Sequence, residues 1–322
     1  MTDPRFPFRV DPETVPALEQ VSQGVRAMTE EDLRNPQPGL PETPHEQVID
    51  GRAIEWEDIT IPGPGGAIGL TVIRPAELAG PVPGFCNAHG GGMVTGTKEM
   101  DNARLVEIVS ELGVVAVNVE YRLAPRHPYP AGIDDIYAAF EWTAAHAAVL
   151  GIDPGRIVVM GGSAGGGFAA AVALRARDRR GPEIAGQLLL CPMLDNTSST
   201  LSALQYGEPA LAAWALENNQ LAWRMVLGDA LAASTDAPAD AAPARAVDLS
   251  GLPPAFIEVG SAEMFRDEDV DYARRIWAAG GEAELHVWGG GFHGFDFFAP
   301  GSRIARAAIQ ARLTWLRRLL GL

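Results

Sequence analysis

The stretch that most limits what this chain can fold into is Arg156 to Ala170, RIVVMGGSAGGGFAA, where an apolar run stops at glycines, presents one serine and enters an alanine-rich segment. Ile157 to Met160 has the length and β-branching of a buried parallel strand, and Gly161-Gly162-Ser163-Ala164-Gly165 follows it directly as G-x-S-x-G. Ser163 is therefore expected on a strand-to-helix elbow. Such a turn strains the serine backbone and brings its neighbours close, so small residues are needed at Gly161 and Gly165. The helix that starts there points N–H groups at any negative charge developing beside the serine. A glycine-rich turn closing a helix against a sheet would use the same letters. The serine's role thus depends on what the rest of the chain supplies.

The remaining pattern is strand then helix, repeated. A hairpin of Ala53 to Ile61 and Ala67 to Ile73 precedes Val82 to Ala88, Asp101 to Leu112, Val114 to Val119, Gly132 to Leu150, Ile157 to Met160 and Ser163 to Arg179. After Gly186 to Cys191 the alternation breaks, and it resumes with Ala255 to Val259, a helix from about Arg266 to Ala279, Ala283 to Trp288 and Arg303 to Leu320. Short apolar strands alternating with longer helices predict an α/β fold with a mostly parallel sheet covered on both faces. Residues 51–195 and 246–322 form the expected core, and residues 196–245 read as a helical insertion. Residues 1–50, with short amphipathic pieces at Pro16 to Val25 and Thr29 to Arg34 and a proline-rich connector from Asn35 to His45, read as an arm laid over something else.

Charge narrows the partners. A net charge of −16 and a pI near 4.8 oppose binding to nucleic acid or to an anionic membrane surface. The N-terminal sequence has no basic and apolar leader, and no run of about 18 apolar residues follows, so a cytoplasmic protein is expected. Cys86 and Cys191 lie in apolar strand-like stretches without C-x-x-C spacing and read as buried free thiols rather than a disulfide or metal site.

A serine hydroxyl needs a base, a group that orients the base, and N–H donors for an oxyanion. On an open parallel sheet all of them come from loops at the carboxyl ends of strands. His89-Gly90-Gly91-Gly92 follows one such strand, and its glycines leave bare N–H groups able to approach a carbonyl; the Ala164 N–H adds another. Of six histidines, His146 falls in a helix, His286 in a strand and His45 in the proline-rich arm, whereas His293 follows the last strand in a glycine-flanked loop. The loop after Val259 offers Glu263, Asp267, Glu268 and Asp269 as the acid. Glu263 is favoured because the others already lie in the next helix, with Asp267 as the alternative.

HGGG at His89 to Gly92, YRLAPRHPYPA from Tyr121, GIDPGRIVVMGGSAGG from Gly151, RDE at Arg266 to Glu268 and HGF at His293 to Phe295 occur in one order. From about residue 50 onward the chain resembles the hormone-sensitive lipase family of α/β-hydrolases, and in particular its heroin-esterase-like bacterial members. The resemblance implies Ser163 as nucleophile, His293 as base, and Gly91, Gly92 and Ala164 as oxyanion donors. It makes residues 1–50 and 196–245 a cap that shapes the acyl and alcohol pockets. Family members often dimerise, so a homodimer is compatible with the resemblance, and the oligomeric state stays open. This chain departs from the family in Gly162, where Asp or Thr is usual, in Glu263, where the family has Asp, and in Arg126, where it has Glu.

The expected activity is hydrolysis of short- to medium-chain carboxylic esters, small molecules, through an acyl-enzyme, with no metal and no cofactor. Two rival functions fit parts of the same sequence. One is a binding protein on the same scaffold. The other is a nucleotide-dependent oxidoreductase, since Gly165 to Ala170 fits G-x-G-x-x-A, although no acidic residue ends the next strand.

Overall fold

In a computed structural model that describes residues 9–24, 27–35, 43–206 and 212–322, the chain enters its sheet through a hairpin. Strands β1 (Ile54–Gly63) and β2 (Gly66–Pro75) pair antiparallel from Ile54 opposite Pro75 to Gly63 opposite Gly66. Then come β3 (Val82–Ala88), β4 (Val115–Glu120), β5 (Ile152–Gly162), β6 (Gly186–Leu190), β7 (Ala255–Gly260) and β8 (Ala283–Trp288). The eight strands stand in the order β1-β2-β4-β3-β5-β6-β7-β8. β2 meets β4 antiparallel, and every later pairing is parallel. The expected α/β class, opening hairpin and mostly parallel sheet are therefore observed.

Successive residues of the central strands feed two separate cores, as a period of two requires. Cys86, Val117, Val159, Leu189 and Ile257 face one side, while Phe85, Ala116, Val158, Leu188 and Phe256 face the other. The first side is covered by α5 (Ala131–Ala145) and α7 (Ala164–Arg179), the second by α4 (Asn102–Leu112) and α12 (Arg303–Leu320). Helix α7 is buried from Ala164 to Ala176, and its small side chains let it lie close to the sheet.

Several boundaries differ from the sequence reading. β5 begins at Ile152 rather than Ile157. The expected helix over 132–150 is two, α5 and α6 (Ala147–Leu150), parted at His146, whose ring nitrogen Nδ1 bonds the Trp142 carbonyl at 2.8 Å. β6 stops at Leu190, so Cys191 lies just past the strand rather than in it, with φ +40°; the residue as a whole is half-buried, while its thiol is desolvated. Cys86 is buried as expected.

Ahead of the sheet lie α1 (Val15–Gly24), α2 (Glu30–Arg34) and the unforeseen α3 (His45–Ile49). Val25, which ends one expected piece, and residues 36–42 inside the connector lie outside the described residues. The arm runs over loops of the carboxyl half: Asp11 N–H donates to the Gly290 carbonyl at 2.9 Å, and the Arg303 N–H donates to Glu13 at 2.7 Å. The stretch after β6 contributes α8 (Leu201–Gln205) and α9 (Leu216–Ala232), the latter broken at Gly228. Met28 N–H donates to Asn218 Oδ1 at 2.8 Å and joins arm to insertion. The remaining helices are α10 (Arg266–Ala278) and α11 (Phe295–Phe298). Among the described residues no helix is long and apolar enough to cross a membrane.

Candidate active site

Ser163 sits between β5 and α7 at φ +56° and ψ −123°, a conformation that a side chain rarely tolerates. Its surroundings enforce the turn. Ser163 N–H donates to the Leu190 carbonyl at 2.8 Å, and its own carbonyl accepts from Met193 at 2.9 Å. The two flanking glycines are steric necessities: a Cβ at Gly161 would stand 2.3 Å from the Gly165 carbonyl carbon, and one at Gly165 would stand 1.9 Å from the Ala88 oxygen. A Cβ at Gly167 would likewise stand 2.3 Å from the Met193 oxygen. The glycines that would cradle a pyrophosphate in the oxidoreductase reading are thus consumed by backbone packing.

The loops after β7 and β8 bring two more side chains to the serine. His293 Nε2 lies 3.0 Å from Ser163 Oγ, and His293 Nδ1 lies 2.6 Å from Glu263 Oε2. A carboxylate only accepts, so Nδ1 carries the proton and Nε2 presents its lone pair to the hydroxyl. Glu263 is only 2% exposed. The Phe265 ring meets His293 edge-on at 5.1 Å between centroids. Asp267 is engaged elsewhere: it accepts from the Ser202 N–H at 2.8 Å and from Arg266 Nε at 2.7 Å. Of the two candidate acids, then, it is Glu263 that meets the histidine.

The His89 to Gly92 loop comes against the elbow, where a Cβ on Gly90 would stand 3.5 Å from the Ser163 Cβ. His89 is fully buried, stacks on Tyr121 at 4.1 Å, and donates from Nδ1 to the Gly90 carbonyl at 2.7 Å. Burial lowers its pKa, outweighing that carbonyl and the charge of Asp101, so it serves as a neutral spacer. The Tyr121 hydroxyl donates to the His89 carbonyl at 2.8 Å and fixes where the glycines begin. Gly91 and Gly92 have φ of +109° and +64°, and their N–H groups donate to no acceptor among the described residues. Ala164 is the first residue of α7, so its N–H has no partner within the helix.

The sequence does not place three further neighbours, Trp214, Arg104 and Cys191, at this site. Trp214, from the insertion, packs on Gly92. The guanidinium of Arg104 fills the space beside Gly162, 3.3 Å from where a Cβ would stand, and so occupies the place of the side chain usual at that position. Cys191 lies beside Glu263 and His293; burial, with the charges of Glu263 and Asp296, pushes its thiol well up. Behind Glu263, the carboxyls of Glu268 and Asp269 are buried and pushed well up, chiefly by desolvation. Glu268 Oε1 accepts from the N–H groups of Leu194 and Asp195 at 2.7 and 3.1 Å, tying α10 to the chain after β6.

The α/β-hydrolase-fold family profile matches residues 85–297. Esterase LipI of Mycobacterium tuberculosis is 34% identical over 316 residues, covering 96% of this chain and 92% of the relative. Carboxylesterase NlhH of the same organism is 37% identical over 281 residues, covering 87% and 85%. Among solved structures, a bacterial heroin esterase superposes with a TM-score of 0.85 at 35% identity, covering 97% of this chain and 98% of the other. Sheet order, elbow and these likenesses together define an α/β-hydrolase. Within that class the chain belongs to the hormone-sensitive lipase-like family.

Proposed function

We propose that this protein is a serine carboxylesterase in which Ser163 is the nucleophile, His293 the general base and Glu263 the acid that orients it. The observation that carries the reading is the hydrogen-bonded line from Ser163 through His293 to Glu263, with contacts of 3.0 and 2.6 Å. His293 Nε2 takes the hydroxyl proton as Oγ attacks the ester carbonyl. The oxyanion that forms accepts from the N–H groups of Gly91, Gly92 and Ala164, each donor contributing about 3 to 4 kcal/mol to the barrier reduction. Collapse breaks the bond to the alcohol, the imidazolium returns the proton to it, and an acyl-serine remains. Water then attacks with His293 again as base, and the acid leaves as Ser163 is reprotonated. Glu263 stays ionised throughout and stabilises the imidazolium. Side chains and water account for every proton and electron pair, so the reading needs no cofactor.

In the same proposal, residues 1–50 and 196–245 act as a cap, and short- to medium-chain esters of small alcohols are the substrates. The Met28 to Asn218 bond between arm and insertion, and the seat of Trp214 on Gly92, support a shared lid over the serine. A cytoplasmic location and a homodimer remain parts of the proposal, to be checked by fractionation and light scattering. The decisive assay is hydrolysis of p-nitrophenyl esters of increasing acyl length by the wild type and Ser163→Ala. Loss of turnover in the variant is expected. Wild-type rates in it would overturn the mechanism, and tight ester binding without turnover by the wild type would favour the binding-protein reading.

A further inference from the structure

Three different donor types converge at the carboxyl end of β6. Cys191 offers Sγ, Glu263 a carboxylate oxygen and His293 a ring nitrogen, and these ligand atoms all lie within 4.8 Å of one another. As whole residues Cys191 and His293 are half-buried and Glu263 is buried, so the triangle lies beneath the rim of the site. A second observation points to a ligand. Glu263 Oε1 is buried and has no hydrogen-bond partner among the described residues, although the other oxygen of the same carboxylate is fully used by His293. A buried carboxylate oxygen left unpaired is costly, and a cation is one of the few partners that would satisfy it.

We propose that Cys191, Glu263 and His293 form an inhibitory site for a soft divalent cation of the Zn²⁺ type. Thiolate and imidazole select zinc-like ions, whereas Mg²⁺ and Ca²⁺ favour oxygen-only shells. Tetrahedral zinc with bonds of about 2.0 to 2.3 Å sets its donors roughly 3.3 to 3.5 Å apart, so the Glu263–His293 hydrogen bond opens and the more widely spaced donors close in by up to about 1 Å. A water completes the fourth position.

The consequence for the histidine does not depend on which nitrogen is taken. The cation displaces the Cys191 thiol proton to solvent as the sulfur–metal bond forms. If it takes Nε2, the lone pair facing Ser163 is occupied. If it takes Nδ1, the ring proton there moves to Nε2, and that lone pair is again lost. Either way no base faces the hydroxyl.

The metal site stands on the three side chains alone, whereas the inhibition rests on the esterase reading above. The test therefore separates the two. Zn²⁺ is titrated calorimetrically into the Ser163→Ala protein, with Mg²⁺ as contrast and Co²⁺ as a spectroscopic probe. One Zn²⁺ per chain and a near-ultraviolet thiolate-to-cobalt charge-transfer band are expected, both lost when Cys191→Ser or Cys191→Ala is added. In the otherwise native enzyme, Zn²⁺ is expected to abolish ester hydrolysis reversibly, with a chelator restoring it. With each protein's inhibition scaled to its own metal-free turnover, Cys191→Ser needs at least about tenfold more Zn²⁺ for half-inhibition, given that losing even an outer-shell partner costs 10- to 100-fold in affinity. Absence of stoichiometric binding, or equal half-inhibition with and without the thiol, overturns the site. Binding with the cobalt band but undiminished turnover overturns the inhibition and, with it, the assignment of His293 as base.

Discussion

Trp214 packs directly on Gly92: a Cβ added to that glycine would stand 2.5 Å from the indole Cζ2 and 2.6 Å from Cη2. The indole is itself held, donating from Nε1 to Asn219 Oδ1 at 3.0 Å, while Asn219 donates to Ser198 Oγ at 2.8 Å. A side chain from the insertion thus presses on a proposed oxyanion donor. Trp214→Ala is expected to let the loop drift and to lower kcat for p-nitrophenyl acetate by up to about 100-fold, the scale of an ångström-sized misplacement. Trp214→Phe, which keeps a ring there, recovers most of it. An unchanged kcat in the alanine variant would mean that the loop is held by Tyr121 alone.

The acid is tested by a pair of variants. Glu263→Gln keeps the shape but cannot hold the imidazole in the required tautomer, and kcat is expected to fall about 10³- to 10⁴-fold. Asp267→Asn touches only the Ser202 and Arg266 contacts and should leave kcat within about tenfold, since no member of the proposed triad is altered. If the second variant alone is inactive, the acid has been misassigned.

What could be read from the sequence follows how local each signal is. β3, β8 and α12 begin and end where expected because their apolar periodicity is strong and flanked by breakers. The start of β5 was hidden because Asp153, Pro154 and Gly155 read as a turn although they continue the strand, and α3 is too short to show a period. Ser163, Glu263 and His293 were each legible from a position just past a strand, where a parallel sheet gathers its loops. Arg104 beside Gly162, Trp214 on Gly92 and Cys191 beside His293 were not, since each depends on residues distant in the chain meeting in three dimensions. A departure from a family motif shows that something else fills the space, and only packing shows what.

Asp269 is fully buried in the first turn of α10, and neither of its carboxylate oxygens has a partner among the described residues. Desolvation first, and then the charges of Glu268 and Glu263, raise its carboxyl well above the ordinary 3.8. Between 3.8 and the raised value the unfolded chain has released a proton that the folded chain still holds, so stability falls as pH rises through that interval. Asp269→Asn keeps the neutral shape and removes this loss. Its melting temperature should exceed that of the wild type by a margin that is small near pH 4 and widens toward pH 8. A margin that narrows with rising pH would show Asp269 ionised and paired.

Asp296 lies three residues beyond His293 and ties that loop to the rest of the domain. Its carboxylate accepts from Arg312 Nη2 at 2.8 Å and from Arg104 Nη2 at 3.4 Å, while Arg312 also pairs with Glu258 on β7. Burial raises the Asp296 carboxyl, but the two guanidiniums outweigh it and hold it at about 2, below its ordinary 3.8. The sign is opposite to that of Asp269. Between these values the unfolded chain has bound a proton that the folded chain has not, so the contribution is complete above 3.8 and is lost as pH falls toward about 2. The difference corresponds to about 2 kcal/mol. Urea unfolding of wild type and Asp296→Asn should therefore show a stability gap that narrows by about 2 kcal/mol between roughly pH 5 and pH 2. Because Asp296 lies in α11, which directly follows the His293 loop, the variant should also lose kcat at neutral pH while still folding. A gap independent of pH would mean that the two arginines do not hold this carboxylate.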